Sequence, residues 1–320
     1  MAGISGDVLA RIGDTPLVAL RSLPPPGCAR ILLKLEAVNP TGSMKDRMAL
    51  AMIEAAERDG RLPPGGAVVE YTGGSTGVSL ALVCAVKGHP LDIVTSDAFS
   101  QEKRRHMTAL GARLTIVPSR GGGMDAALTR AMIEAAGAIA ERTGAFWTDQ
   151  LTNADQIAAY HTMGEEIWLA SGGRIDGFVQ ATGTAASVRG VSEALHARDP
   201  AIHCVAVEPE ESAVLSGRAS GTHRIEGVGA GFVVPLWRAD AVDAVATVST
   251  ADAMAMARRL AREEGMFAGT STGANLVAAL ELGHRLGPDA TVVTVMCDTG
   301  MKYLSTPLYA ETAVDDLVPA

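Results

Sequence analysis

The stretch Ala67-Val-Val-Glu-Tyr-Thr-Gly-Gly-Ser-Thr-Gly-Val-Ser-Leu-Ala-Leu-Val-Cys-Ala-Val-Lys87 passes from a β-rich run through a glycine turn into an apolar helical run. It reads as strand 67–71, turn 72–77 and helix 77–87, the unit from which parallel α/β sheets are built. The same alternation recurs along the chain. Residues 31–35, 91–95, 113–117, 175–181, 202–207 and 291–296 are further strand candidates, with helical patterns at 44–58, 101–110, 124–142, 154–170, 185–197, 251–264 and 273–286. Strands separated by helices pair in parallel, with helices on both faces of the sheet, so an α/β fold is expected. The pattern pauses at residues 143–152, where Gly144 and polar residues mark a crossing between two domains. Residues 217–235 are glycine-rich and aperiodic, and read as a long loop of the kind that is often functional.

Composition narrows the function classes. The chain has 320 residues, 48% hydrophobic and 20% charged, as a soluble globular protein does. A formal net charge of −9 argues against a general nucleic-acid binder, which needs a positive field to meet phosphates. Cys28, Cys84, Cys204 and Cys297 show no metal-like spacing and read as reduced thiols of a cytoplasmic protein. The histidines form no H-E-x-x-H pattern, so no metal is expected. The N-terminus shows no basic region followed by an apolar run, and the longest apolar stretch, residues 78–86, is far short of a membrane span. No export or membrane anchoring is expected.

Three glycine-rich turns share one context: Thr72-Gly-Gly-Ser-Thr-Gly77, Thr182-Gly-Thr-Ala-Ala-Ser187 and Gly269-Thr-Ser-Thr-Gly273. Each precedes a helix, whose first N–H groups are free to hold an anion, although any one of them alone is also simply a good helix cap. Two of them match G-x-S-x-G, the nucleophile elbow of α/β-hydrolases. Ser271 fails on chain order, because no histidine follows Asp289 or Asp298, while Ser75 could use His223 or His284. Lys45 is one of only five lysines among 27 basic residues, and stands where a helical pattern begins, with Ser43 as the expected N-cap. An ammonium there faces the positive end of the helix dipole and, if partly buried, loses its proton more easily. That suits Schiff-base chemistry. A solvated surface lysine is the alternative that spacing alone leaves open.

Taken together, the motifs resemble the fold-type II family of pyridoxal-phosphate (PLP) enzymes, in its cysteine synthase and cystathionine β-synthase branch. The resemblance rests on Ile12-Gly-Asp-Thr-Pro-Leu17, Lys34-Leu-Glu36, Asn39-Pro-Thr-Gly-Ser-Met-Lys-Asp-Arg47, Glu70-Tyr-Thr-Gly-Gly-Ser-Thr-Gly77, Leu110-Gly-Ala112, Gly183-Thr-Ala-Ala-Ser187, Val207-Glu-Pro209, His223-Arg-Ile-Glu-Gly-Val-Gly-Ala-Gly-Phe232, Gly269-Thr-Ser-Thr-Gly-Ala274 and Asp298-Thr-Gly-Met-Lys-Tyr303. It implies a two-domain α/β fold of mostly parallel twisted sheets flanked by helices, like tryptophan synthase β. Residues 36–148 would form a smaller, mobile domain with the carboxylate loop, and residues 1–35 with 149–320 a larger domain with the phosphate loop. A homodimer is also implied.

By the same resemblance, Lys45 holds pyridoxal 5′-phosphate as the internal aldimine. Gly183, Thr184, Ala185, Ala186 and Ser187 bind its phosphate, and Ser271 meets the pyridine nitrogen. Thr72, Gly73, Gly74, Ser75 and Thr76 hold the substrate α-carboxylate, Gln150 closes over it, and Gly227 lies near the substrate amine. The implied reaction is β-replacement on a serine- or cysteine-derived amino acid through an aminoacrylate, with Lys45 as the general base and a small nucleophile as second substrate. Release of the aminoacrylate instead would make the protein a β-eliminating lyase. Two departures bear on that choice. Ser75 stands where the family has an asparagine that contacts the cofactor 3′-oxygen, and Gly73 replaces a serine. In the phosphate loop, Ala185 and Ala186 replace glycines, which keeps the N–H donors but narrows the backbone shapes allowed.

Overall fold

Runs that are buried on every side set the two sheets. All of Val68–Tyr71 and Gly177–Ala181 are buried, as is Thr291–Met296 beyond its first residue. Continuous burial of this kind is the mark of parallel strands covered on both faces. The computed structural model describes residues 6–120 and 125–310. Its strands are β1 (Leu17–Ala19), β2 (Arg30–Leu35), β3 (Val68–Tyr71), β4 (Leu91–Ser96), β5 (Arg113–Val117), β6 (Phe146–Trp147), β7 (Gly177–Ala181), β8 (His203–Pro209), β9 (Ala244–Val248) and β10 (Thr291–Met296). Its helices are α1 (Lys45–Asp59), α2 (Ser75–Lys87), α3 (Gln101–Ala109), α4 (Ala126–Thr143), α5 (Asp155–Ala170), α6 (Ala186–Arg198), α7 (Thr250–Glu264) and α8 (Thr270–Leu286).

One sheet has six strands in the order β1-β2-β10-β7-β8-β9, and the other has four in the order β5-β4-β3-β6. Every pairing is parallel except that of β1 with β2. One glycine turn in each sheet, after β3 and after β7, follows the carboxyl end of a strand, where parallel sheets bind ligands, and the third, Gly269–Gly273, follows α7. Residues 213–238 form no helix or extended strand, as the loop reading expected.

The differences from the sequence reading lie at edges and turns. Strands β1, β6 and β9 were not anticipated: the first two have three and two residues, too few to show a period, and β9 is an edge strand buried only at its last residue. Helices α2 and α8 begin two and three residues before the expected positions 77 and 273, so the polar residues of the glycine turns form their first turns. The helix expected at 124–142 is α4, capped by Asp125, and Met124 lies outside the described residues.

The start of α1 is fixed by a buried charge network. Arg47 donates from Nε and Nη2 to Glu36 at 2.7 and 2.8 Å, and from Nη1 and Nη2 to Glu166 of α5 at 2.8 and 2.6 Å. Lys34 of β2 donates to Glu166 and to the Thr15 carbonyl, both at 2.6 Å. Next to Arg47, Asp46 accepts from Ser79 of α2 at 2.6 Å and from the Thr41 N–H at 2.8 Å. Burial would raise the Glu166 carboxyl, but hydrogen bonds and charge from Arg47 and Lys34 prevail and bring it down to about 2 from 4.5.

A folded-state value below the unfolded one means that Glu166 contributes its full share above about pH 4.5 and loses it as pH falls toward 2. Arg47→Met should therefore cost about 3–5 kcal/mol at pH 7, since it strands the fully buried Glu36 and takes from Glu166 one of its two cations. In urea titrations at stepped pH, the gap from wild type should narrow through that acid window. A gap independent of pH would show that the network does not act as described.

Candidate active site

The turns, the loop after β8 and the start of α1 enclose one cleft, with about 900 Å³ of non-atom space including open solvent. Lys45 lines it from the first turn of α1. The N-cap is Met44 rather than Ser43, but Ser43 Oγ still accepts the Lys45 N–H at 3.2 Å. Lys45 Nζ makes no hydrogen bond or ion pair among the described residues. Burial pushes this amine below the usual lysine range, against the opposing charges of Cys297 and Asp298. Desolvation thus supplies the shift that the helix dipole was also expected to favour.

Two helix starts face the same space. Thr72, Gly73, Gly74, Ser75 and Thr76 all line the cleft, and the N–H groups of Ser75, Thr76 and Gly77 have no partner within α2 because they belong to its first turn. Gln150 ties this turn down: its Nε2 donates to the Tyr71 carbonyl at 2.6 Å and its Oε1 accepts from Thr76 Oγ1 at 2.8 Å. Glu70 receives the Gln150 N–H at 2.9 Å, and burial pushes its carboxyl up to about 8 despite that bond and one from Thr148. Opposite, Gly183 and Thr184 line the cleft while Ala185, Ala186 and Ser187 form the buried start of α6 behind them. The N–H groups of Gly183, Thr184 and Ala185 have no acceptor among the described residues, and the buried Thr182 Oγ1 is also without a partner. An ideal Cβ on Gly183 would lie 2.4 Å from the Gly227 carbonyl oxygen, so only glycine lets the two loops approach.

Ser271 lines the cleft from the first turn of α8, beside Cys297, whose thiol burial pushes up to about 11. Asn275, one turn on, holds the sheet beneath: it accepts the Ala181 N–H at 2.7 Å and donates to the Val295 carbonyl at 2.8 Å.

Residues 8–298 match the family described as "Pyridoxal-phosphate dependent enzyme". The chain belongs to this family. It is 42% identical over 301 residues to a cysteine synthase of Staphylococcus aureus, covering 93% of this chain and 95% of that one. The crystal structure of a cysteine synthase from Entamoeba histolytica superposes with a TM-score of 0.89 at 37% identity, over 99% of this chain and 93% of that one. A hydrogen-sulfide-producing enzyme from Fusobacterium nucleatum follows with a TM-score of 0.88 at 33% identity, over 94% of this chain and all of that one.

This PLP-dependent enzyme has a site that fits its cofactor. A partner-free amine lining the cleft, a helix start with unused N–H donors and an orphaned threonine hydroxyl beside it are what an aldehyde carrying a phosphate requires. The hydrolase alternative fails here. No histidine lines the cleft, Ser75 Oγ donates to Asp298 Oδ2 at 3.0 Å, and His223 bonds the Gly229 carbonyl while His284 is exposed.

Among the lining residues, Lys103, Glu226, Asp298 and Tyr303 carried no role in the sequence reading. Three of them sit inside motifs that carried the resemblance, and Lys103 was one of five lysines, but nothing in their spacing brings them together. Elsewhere His196, Cys204 and Asp243 place ligand atoms within 4.8 Å of one another. These groups satisfy each other and the backbone: Asp243 accepts the Cys204 N–H at 2.7 Å, and His196 Nε2 bonds the Ile202 oxygen at 2.9 Å.

Ala185 takes a φ of 70°, in the left-handed region that glycine occupies freely. Ala185→Gly should raise stability by about 0.5–1 kcal/mol, the relief of about 1–2 kcal/mol being partly offset by a looser unfolded chain. A fall in thermal midpoint would show that the alanine is not strained.

Proposed function

We propose that the enzyme catalyses β-replacement on a serine- or cysteine-derived amino acid, as its cysteine synthase relatives' name suggests. One observation carries the reading: a half-buried amine without a partner, Lys45 Nζ, faces two separate sets of free backbone N–H groups across one cleft.

In this reading Lys45 would hold the cofactor through Nζ, Gly183–Ser187 its phosphate, and Ser271 its ring nitrogen. When bound, pyridoxal phosphate supplies an electron sink for charge developing at the substrate Cα. A neutral hydroxyl partner at Ser271 leaves that sink moderate, which favours loss of a β-substituent over side reactions. The N–H groups of the Thr72–Thr76 turn take the α-carboxylate, and Gln150 keeps the turn in shape through both ends of its amide. Lys45 Nζ, depleted of its proton by burial, accepts the proton from Cα.

The fold offers a division into residues 36–148 around the four-stranded sheet, and residues 1–35 with 149–320 around the six-stranded one, the smaller part moving over the cleft. A homodimer in the cytoplasm completes the proposal. All four cysteines are free, which suits a reducing compartment.

β-Elimination is the second reading, favoured by the likeness to a hydrogen-sulfide-producing enzyme. Supplying O-acetyl-L-serine with and without sulfide separates them: a new β-substituted amino acid supports replacement, whereas pyruvate formed at the same rate either way supports elimination. The purified protein should be yellow, with a visible band that borohydride abolishes. Lys45→Ala should lower turnover by about 10²–10⁴-fold or more. Unchanged turnover in that variant would overturn both readings.

A further inference from the structure

Lys103 and Glu226 form an ion pair inside the cleft that the reaction as described does not use. Lys103 comes from α3, beside the four-stranded sheet, and Glu226 from the long loop after β8 of the six-stranded one. Both line the same space as Lys45, and their N–O distance is 2.6 Å with side chains 2% and 14% exposed. Glu226 is the neighbour of Gly227, whose carbonyl abuts Gly183.

The charge of this lysine is met from two sides. Its Nζ lies 4.1 Å from the centre of the Tyr303 ring, a cation–π contact, while it donates to Glu226 Oε2. Its stem crosses Gly74, where an ideal Cβ would stand 2.3 Å from Lys103 Cδ, so the chain is wedged and cannot swing toward an incoming anion.

The carboxylate is only half used. Glu226 Oε1 has no hydrogen-bond partner among the described residues. Burial raises the Glu226 carboxyl, Lys103 opposes this, and Asp298 and Glu102 add to it. A second carboxylate stands on the same wall. Asp298 Oδ2 accepts from Ser75 Oγ at 3.0 Å and from the Tyr303 hydroxyl at 2.8 Å, while its Oδ1 is buried without a partner. Of the other cations nearby, Lys302 is buried without a partner and does not line the cleft, and Arg104 and Arg224 border Glu226 in a neighbouring cavity rather than in this one. Apart from Lys45, this wall therefore offers acceptor oxygens and no unpaired positive charge, and a carboxylate can only accept a hydrogen bond.

We propose that the Lys103–Glu226 pair forms the subsite for the incoming nucleophile, and that Glu226 Oε1 selects one that donates a hydrogen bond and carries no negative charge, an ammonium-bearing or neutral molecule rather than an anion. The inference rests on the β-replacement reading and adds a substrate class to it. An anion entering here meets two carboxylates, and discrimination by like charge is a common route to specificity.

Three thiols of one nucleophilic type and different charge test it on the full-length holoenzyme: 2-mercaptoethylamine, 2-mercaptoethanol and mercaptoacetate, each with O-acetyl-L-serine as the amino-acid donor. Wild type should prefer them in that order by kcat/KM for the thiol. Glu226→Gln should shrink the ratio of the first to the last by about tenfold or more, through KM for the thiol, because the thiols' own reactivities cancel when the two enzymes are compared. A Lys103→Met, Glu226→Gln double variant removes both charges of the pair together and should weaken the preference as the single variant does, with the yellow colour of each variant verifying its fold. A ratio that stays put in both variants, or an equal slowing of all three thiols, would reduce the pair to a structural latch and overturn the assignment. Should wild type make pyruvate and no thiol adduct, the β-replacement reading falls and takes this subsite with it. Adducts formed without charge preference sink the subsite alone.

Discussion

The guanidinium of Arg47, clasped between Glu36 and Glu166, is the constraint on which the site depends. Two residues before it stands Lys45, and one residue before it Asp46, itself bonded to Ser79 and Thr41. The first turn of α1 is thereby held from three directions: by the segment after β2 through Glu36, by α5 through Glu166 and by α2 through Ser79. A lysine on so rigid a mount can stay unpaired, because Asp46 and Arg47 beside it are satisfied by other partners. The sequence motifs containing Thr15, Lys34, Glu36, Asn39 and Arg47 lie apart in the chain, yet converge on this cluster.

Burial and hydrogen bonding then divide the work. Two helix starts present N–H groups without acceptors to the cleft, while desolvation adjusts the proton affinity of the groups around them. Lys45 falls, and Glu70 and Cys297 rise, for the same physical reason acting on opposite kinds of group.

Much of this was legible in the sequence. Strands at 113–117 and 291–296 match β5 and β10 at both ends: β10 is a buried β-branched run, and β5, though mostly exposed, is an uninterrupted β-rich run closed by Pro118. Lys45 and the three turns were visible because lysine is scarce and the glycine signatures are local. The short strands β1, β6 and β9 were not, since they exist through pairing with a stronger neighbour. Nor were Lys103, Glu226 and Asp298, which meet only through tertiary packing. The N-cap and helix starts were displaced by one to three residues, as polar glycine turns folded into the helices they precede.

The contact between Gly183 and the Gly227 carbonyl has an architectural corollary. The backbone of one ligand-holding segment is the wall of the other, so neither can be treated as an independent module. Grafting a foreign loop at either place would displace its counterpart. Natural diversification on this scaffold is then channelled into side chains such as those at positions 103 and 226, where chemistry can change while the main chain stays put.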